Sequence, residues 1–272
     1  MAQSVLDPNT WMAAEAPWPP GVQAGITLRA GGVSGPPWDS WNLGDHVGDD
    51  PVHVHVNRQR LSHHIGAHPV FCQQVHGIDV LDLGAQTPDG VVADGAWIHE
   101  AGLACTMMVA DCLPLLIALP DGGGVAALHA GWRGLCGQQG IGIIESLVRW
   151  WPALADPGTR ASAVVWLGPC IGPQAFEVGP EVRAAFMAHD AGAFTCFRPV
   201  ERAQEGAKWW ADLQALARQR LSAAGFQQVH GNDGAAAWCT YSHPSRFFSH
   251  RRDHVRHGST GRMAACIWRQ PI

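Results

Sequence analysis

Apolar runs that follow one another closely from residue 70 to residue 129, broken by Gly, Asp and Pro, predict sheet built from hairpins. Helical periodicities interrupt such runs at irregular intervals, without the strict alternation of a doubly wound fold, so the class expected is α+β. No linker-like stretch divides the 272 residues, a length that one large domain can reach.

The elements follow in order. Residues 1–22, rich in Ala, Pro and Trp, read as a poorly ordered lead-in, leaving 23–272 as the domain. A short strand at 26–29 ends in a glycine turn. Residues 50–65 read as a helix, because Val54, Arg58, Leu61 and Ile65 share one face. Strands are expected at 70–75, 80–83, 91–97, 103–109, 115–119 and 125–129. A helix at 137–151, with Ile141, Ile144, Val148 and Trp151 on one face, stops at Pro152. A buried-type strand at 163–167 ends in the turn GPCIGP. Another helix starts near Pro180, and a third runs from an Asp212 N-cap to Gly225. Strands at 226–230 and 262–268 close the chain.

Composition narrows the function. Nearly half the residues are apolar, and the net charge of −5 gives no general pull toward nucleic acid or anionic membrane. The N-terminus has neither a basic start nor a sustained apolar segment, and no apolar run is long enough to span a bilayer. Eight cysteines include no CxxC pair, which excludes zinc-ribbon and thioredoxin-type readings and suits thiols of a reducing, cytoplasmic setting.

Unusual residues gather where apolar runs break into loops, the usual place for site residues on a rigid scaffold. QQVHG ends a run at His76, VADC ends another at Asp111 and Cys112, and ALHAGWRG ends a third at His129. Two imidazoles and one thiolate are a natural zinc set with a fourth position left open, and copper is the competitor. Each residue also has a plain structural reading: Cys112 as a buried thiol, His129 as a strand end, Asp111 as a turn cap. Arg133, in GWRG before a helix, suits an anion, as does Arg251 in the run HRRD, although such runs are usually solvated. Arg58 on a core-facing stripe needs a partner, a ligand or a route to the surface.

QVHG, VADG, VADCLPLLIA, ALHAGWRG, GPCIGPQAFEVG, CTYSHPSRFFSHRRD and GRMAACI, taken together and in this order, resemble the laccase-domain family. That family is also called YfiH, multicopper polyphenol oxidoreductase, purine nucleoside phosphorylase or peptidoglycan editing factor. The resemblance covers roughly residues 24 to 268 and implies a single domain of two mixed β-layers flanked by helices. It implies zinc on His76, Cys112 and His129, with Cys112 and His129 at the catalytic centre; Asp111, beside the ligand Cys112, is expected there as a group that orients a ligand or shuttles a proton. It further implies phosphorolysis of adenosine, inosine and methylthioadenosine, and deamination of adenosine, with nucleosides and inorganic phosphate as partners. Asn42 of the NLG turn and Arg58 of the first helix are carried over as substrate or phosphate contacts. SHRRD departs from the family's SYRRD by placing His250 where an aromatic residue stands.

Other classes compete. A copper-dependent polyphenol oxidase needs more ligands than one His–Cys–His set offers. A hydrolase with Cys112 as nucleophile and His129 as base would suit peptidoglycan editing. A non-catalytic metal-binding interaction protein is the third. The pentapeptide QQVHG also occurs at 227–231, but its His230 has no companions of this kind and reads as a strand-end histidine.

Overall fold

The computed structural model describes residues 7–201 and 207–270. One sheet runs β1 (Trp11–Ala13), β2 (Val22–Thr27), β14 (Met263–Arg269), β6 (Leu103–Val109) and β3 (His68–Phe71) in spatial order. A second runs β13 (Gln228–Gly231), β9 (Val164–Leu167), β7 (Leu113–Ala118), β8 (Val125–Ala130), β5 (Gly95–Ile98) and β4 (Val80–Asp82). Both are mixed: β3 with β6, β4 with β5 and β13 with β9 are parallel, and the other pairs are antiparallel. A small third sheet joins β10 (Glu177–Val178), β12 (Trp209–Ala211) and β11 (Phe197–Pro199). The helices are α1 (Pro51–Ile65), α2 (Trp132–Cys136), α3 (Ile143–Trp150), α4 (Pro157–Ser162), α5 (Pro180–Met187), α6 (Leu213–Ala223) and α7 (His250–His257).

The apolar strands are continuous rather than alternating because the sheets are covered on both faces. In β7, Leu116 and Ala118 face the first sheet's Met107, Val109, Ala265 and Ile267, while Leu115 and Ile117 face α3 and α6. On the outer side of the first sheet, Met108, Ala264 and Cys266 pack against Leu61 and Ile65 of α1. The result is a single α+β domain of two mixed β-layers between helices, as expected.

Several elements depart from expectation. Within the lead-in, Trp11–Ala13 pairs antiparallel with β2 and Trp11 is buried, so the ordered chain begins before residue 23; residues 1–6 lie outside the described residues. Of the runs expected as hairpins, β7 and β8 alone form one; β3 lies in the opposite sheet from β4, and β6 in the opposite sheet from β5 and β7. The helix expected at 137–151 is split. Gly137 has φ 65° and a Cβ there would collide with the Ile141 carbonyl oxygen, so the chain loops before α3. Helix α7 replaces what reads as a charged run. By contrast, Asp212 caps α6 through Ala215 N at 2.8 Å, as expected, and the structure adds an Asp50 cap on α1 through Val52 N, also at 2.8 Å.

Candidate metal centre

The centre lies where the two sheets exchange chain. After β6 the backbone crosses to β7 through Ala110, Asp111 and Cys112, with Asp111 at φ 90°, a left-handed conformation that Asp tolerates better than most residues. His129 is the penultimate residue of β8, opposite Pro114. His76 is not at a strand end. It sits in the loop after β3, at φ 60°, and its position is imposed from outside.

Asp94 imposes it. Its carboxylate is fully buried and accepts the backbone N–H groups of Val75 (3.1 Å), His76 (3.0 Å) and Gly77 (2.7 Å). The same carboxylate meets His129 Nδ1 at 2.7 Å, so one side chain orients both histidines. Gln74 ties the loop to the end of β6, accepting Met108 N at 2.7 Å and donating to Met108 O at 2.9 Å. Gly131 completes the packing: a Cβ there would meet both Cys112 Sγ and His76 Cδ2 at 3.0 Å.

The donor atoms of His76, Cys112 and His129 lie within 4.8 Å of one another, and His76 Nε2 is 3.7 Å from Cys112 Sγ. Ligands about 2.0–2.3 Å from a tetrahedral ion stand roughly 3.3–3.8 Å apart, so a small contraction would seat one. Because Nδ1 of His129 is bound to Asp94, its Nε2 is the nitrogen left to coordinate. The residues therefore fit a borderline-soft divalent ion. Burial pushes the Cys112 thiol up, but the His129 charge and hydrogen bonds from both histidines outweigh it and bring it down to about 6. Burial pulls His129 down, while Cys112 and Asp94 raise it to about 9. Burial likewise pushes Asp94 up, yet its bonds to His129, Gly77 and Val75 leave it below the usual carboxylate range.

A cavity of about 270 Å³ opens over the cluster, with Met108, Ile171, Phe176, Leu213 and Trp132 as its apolar walls. His46, Arg133, His250, Arg251 and Arg262 are its basic lining. Asp111 also lines it, but orients none of the three ligands. It accepts Thr240 Oγ1 (2.6 Å), Ser249 Oγ (3.0 Å) and Arg251 N (2.7 Å), so it anchors the start of α7; the ligand-orienting carboxylate is Asp94 instead. Arg133 lies over the Trp132 ring at 4.5 Å and is exposed, and Arg251 donates from Nη1 to the Glu177 carbonyl at 2.9 Å.

Two residues expected at the substrate are not in the wall. Asn42 is buried, with both amide protons on Gly44 O and Asp49 Oδ2 and its oxygen accepting Gly44 N and Arg262 N. Arg58 lies 4.0 Å over the Phe71 ring, with Nε on Leu43 O and Nη2 3.1 Å from Asp45. The run HRRD divides in the same way: Arg251 and His250 face the cavity, while Arg252 and Asp253 are buried against each other. Asp94, Gln74, Arg262 and the aromatic walls were not selected from the sequence. VADG and GRMAACI held Asp94 and Arg262 in plain view, without marking which side chain points inward. His230, in the other pentapeptide, pairs with Trp166 at the edge of the second sheet.

With this geometry in hand, comparison with known proteins places the chain. A family described as multi-copper polyphenol oxidoreductase laccase matches residues 23–270, and the chain belongs to it. An Escherichia coli K12 protein named purine nucleoside phosphorylase YfiH is 47% identical over 254 residues, covering 93% of this chain and 96% of the relative. A Pseudomonas aeruginosa protein named purine nucleoside phosphorylase is 45% identical over 263 residues, covering 96% of this chain and 99% of its own length. Among solved structures, a Neisseria meningitidis protein is similar with TM-score 0.82 at 38% identity, covering 96% of this chain and all (100%) of the other. YfiH of Bacillus licheniformis is similar with TM-score 0.84 at 27% identity, covering 97% of this chain and 98% of the other.

Proposed function

We propose that the chain is a purine nucleoside phosphorylase that holds one zinc ion on His76, Cys112 and His129. Adenosine, inosine and methylthioadenosine are its substrates, and adenosine is also deaminated to inosine. The observation that carries the reading is one three-ligand cluster opening onto a cavity with aromatic and apolar walls and several cationic groups. A purine is flat and apolar on its faces, which suits Trp132 and Phe176. Phosphate is a multiply charged anion, which suits the arginines.

In phosphorolysis a phosphate oxygen forms a bond to C1′, the C1′–N9 bond breaks, and its electron pair leaves on the base. The basic wall holds the phosphate while Asp111, by fixing α7, keeps Arg251 and His250 in place. In deamination water replaces the C6 amino group and ammonia leaves. Zinc at the cluster would supply Lewis acidity, easing proton loss from water and steadying negative charge on a departing base. Asp94 holds His129 with Nδ1–H toward itself and Nε2 toward the cluster. The partners in this reading are small molecules rather than nucleic acid or membrane, and eight free thiols suit the cytoplasm.

The test is metal analysis with chromatography of adenosine incubated with and without phosphate. Bound zinc, with adenine and ribose 1-phosphate formed only when phosphate is present, is the expected result. Phenol oxidation after copper addition, with no nucleoside turnover, would instead establish the oxidase. One observation favours a second reading: Cys112, His129 and Asp94 are ordered like a cysteine hydrolase triad, with 2.7 Å between His129 and Asp94. Rapid alkylation of Cys112 in zinc-loaded protein, unslowed by nucleoside, would support that hydrolase and count against the metal centre.

A further inference from the structure

Arg262 enters the cavity from the loop before β14, and its backbone is fastened by the Asn42–Gly44 turn. Asn42 Oδ1 accepts Arg262 N at 2.9 Å, and Leu43 N donates to Arg262 O at 3.1 Å. Gly44 leaves room for the side chain: a Cβ there would meet Arg262 Cγ at 2.7 Å. Arg58 braces the same turn through Leu43 O (3.0 Å) and Asp45 (3.1 Å).

The guanidinium is steered but not neutralised. Nη1 donates to Thr260 O (3.0 Å) and Gly261 O (3.2 Å), which fixes the plane of the fork. Among the described residues no carboxylate pairs with it, while Arg29, Arg58, Arg220 and Arg252 all have carboxylate partners. Among the described residues Nε and Nη2 take no acceptor, neither is a sealed buried atom, and the residue lines the cavity. His46 and His250 both lie within electrostatic reach of it and line the same space. The one carboxylate in the lining, Asp111, has its oxygens occupied by Thr240, Ser249 and Arg251. Half-buried arginines without a partner are costly unless a ligand completes them, and a planar fork matches two oxygens of a tetrahedral oxyanion.

We infer that Arg262, in the same cavity wall as His46 and His250, is the subsite for inorganic phosphate, and that Asn42, Gly44 and Arg58 position it without touching the ligand. The inference rests on the phosphorylase reading for its choice of anion. It also gives the Asn42–Arg58 pair a role that direct substrate contact does not, because both side chains are spent on protein groups.

The experiment uses zinc-loaded full-length protein as wild type, R262M, R262K and G44A. Hydrogen bonds to a charged group correspond to roughly ten- to hundredfold in affinity. The phosphate KM of R262M is therefore expected to rise by that factor, with nucleoside KM and zinc content within about twofold. R262K, which keeps the charge without the fork, is expected to fall between, and G44A to follow R262M by displacing the side chain. Independently of turnover, inorganic phosphate at matched ionic strength should raise the Tm of wild type and not that of R262M. AMP, whose phosphate is esterified, should not substitute for it. An unchanged phosphate KM in R262K and G44A overturns the inference and leaves the phosphorylase reading standing, whether or not R262M folds. Stabilisation by AMP but not by inorganic phosphate also overturns it. A wild type that turns over no nucleoside sinks the phosphorylase reading, and the Tm arm still decides Arg262: equal phosphate stabilisation of wild type and R262M rejects the subsite.

Discussion

Asp94 reaches neither the cavity nor the metal position, yet four donors converge on it: three backbone N–H groups and His129 Nδ1. D94N keeps the shape but turns an acceptor-only group into a partial donor, which opposes the His129 tautomer that leaves Nε2 free to coordinate. Zinc affinity is expected to drop roughly ten- to hundredfold, measured by chelator competition, with little change in far-UV circular dichroism. Affinity equal to wild type would mean that packing alone orients His129. The three candidate ligands were legible from the sequence because each broke an apolar run with a metal-binding residue type. Their orienting carboxylate was not, since an Asp before a strand reads the same whether it caps a turn or gathers two histidines.

Helix α7 shows what charge patterns conceal. HRRD reads as a solvated run, but burial divides it. Arg252 forms a two-point pair with Asp253 (2.7 and 2.9 Å) and donates to the carbonyls of Thr240, Tyr241 and Phe247. Burial pushes Asp253 up, but Arg252, Ser249 N and Thr260 outweigh it and hold the carboxyl below its usual range. A carboxyl depressed in the folded state stabilises the fold fully above its unfolded value, near about 4, and loses that contribution as pH falls through the folded value. D253N, which leaves Arg252 buried without its counter-charge, is expected to destabilise by about 3 kcal/mol near neutrality. In denaturant titrations the gap between wild type and D253N should stay constant from pH 7 to about pH 5 and narrow below about 4. A gap that does not change with pH would assign the loss to packing rather than charge. The split of the helix expected at 137–151 is of the same kind: the apolar spacing is helical throughout, but the Gly137 backbone is already turned away.

At the scale of the molecule, two sheets share one core and exchange chain at the site, so the cluster depends on how the layers sit. The N-terminal strand belongs to that arrangement. Trp11 is 4% exposed, packs edge-on to Trp268 at 6.2 Å and lies over Gly25, where a Cβ would collide with its ring. W11A is expected to cost about 3–5 kcal/mol in denaturant unfolding, as a buried tryptophan lost from a core. A change below about 1 kcal/mol would show that β1 is an appendage.

By itself the sequence determined the α+β class, the long helix α1, the helix cap at Asp212, and the three metal-binding candidates. These are local properties: apolar period, capping chemistry and residue type at the ends of runs. Only the tertiary structure decided which consecutive strands part company, because a continuous apolar strand fits either sheet equally well. Only the tertiary structure, too, turned Asn42 and Arg58 away from the cavity and Arg262 toward it. An arginine's direction depends on which carbonyls and carboxylates surround it after folding, and its neighbours in sequence do not carry that information.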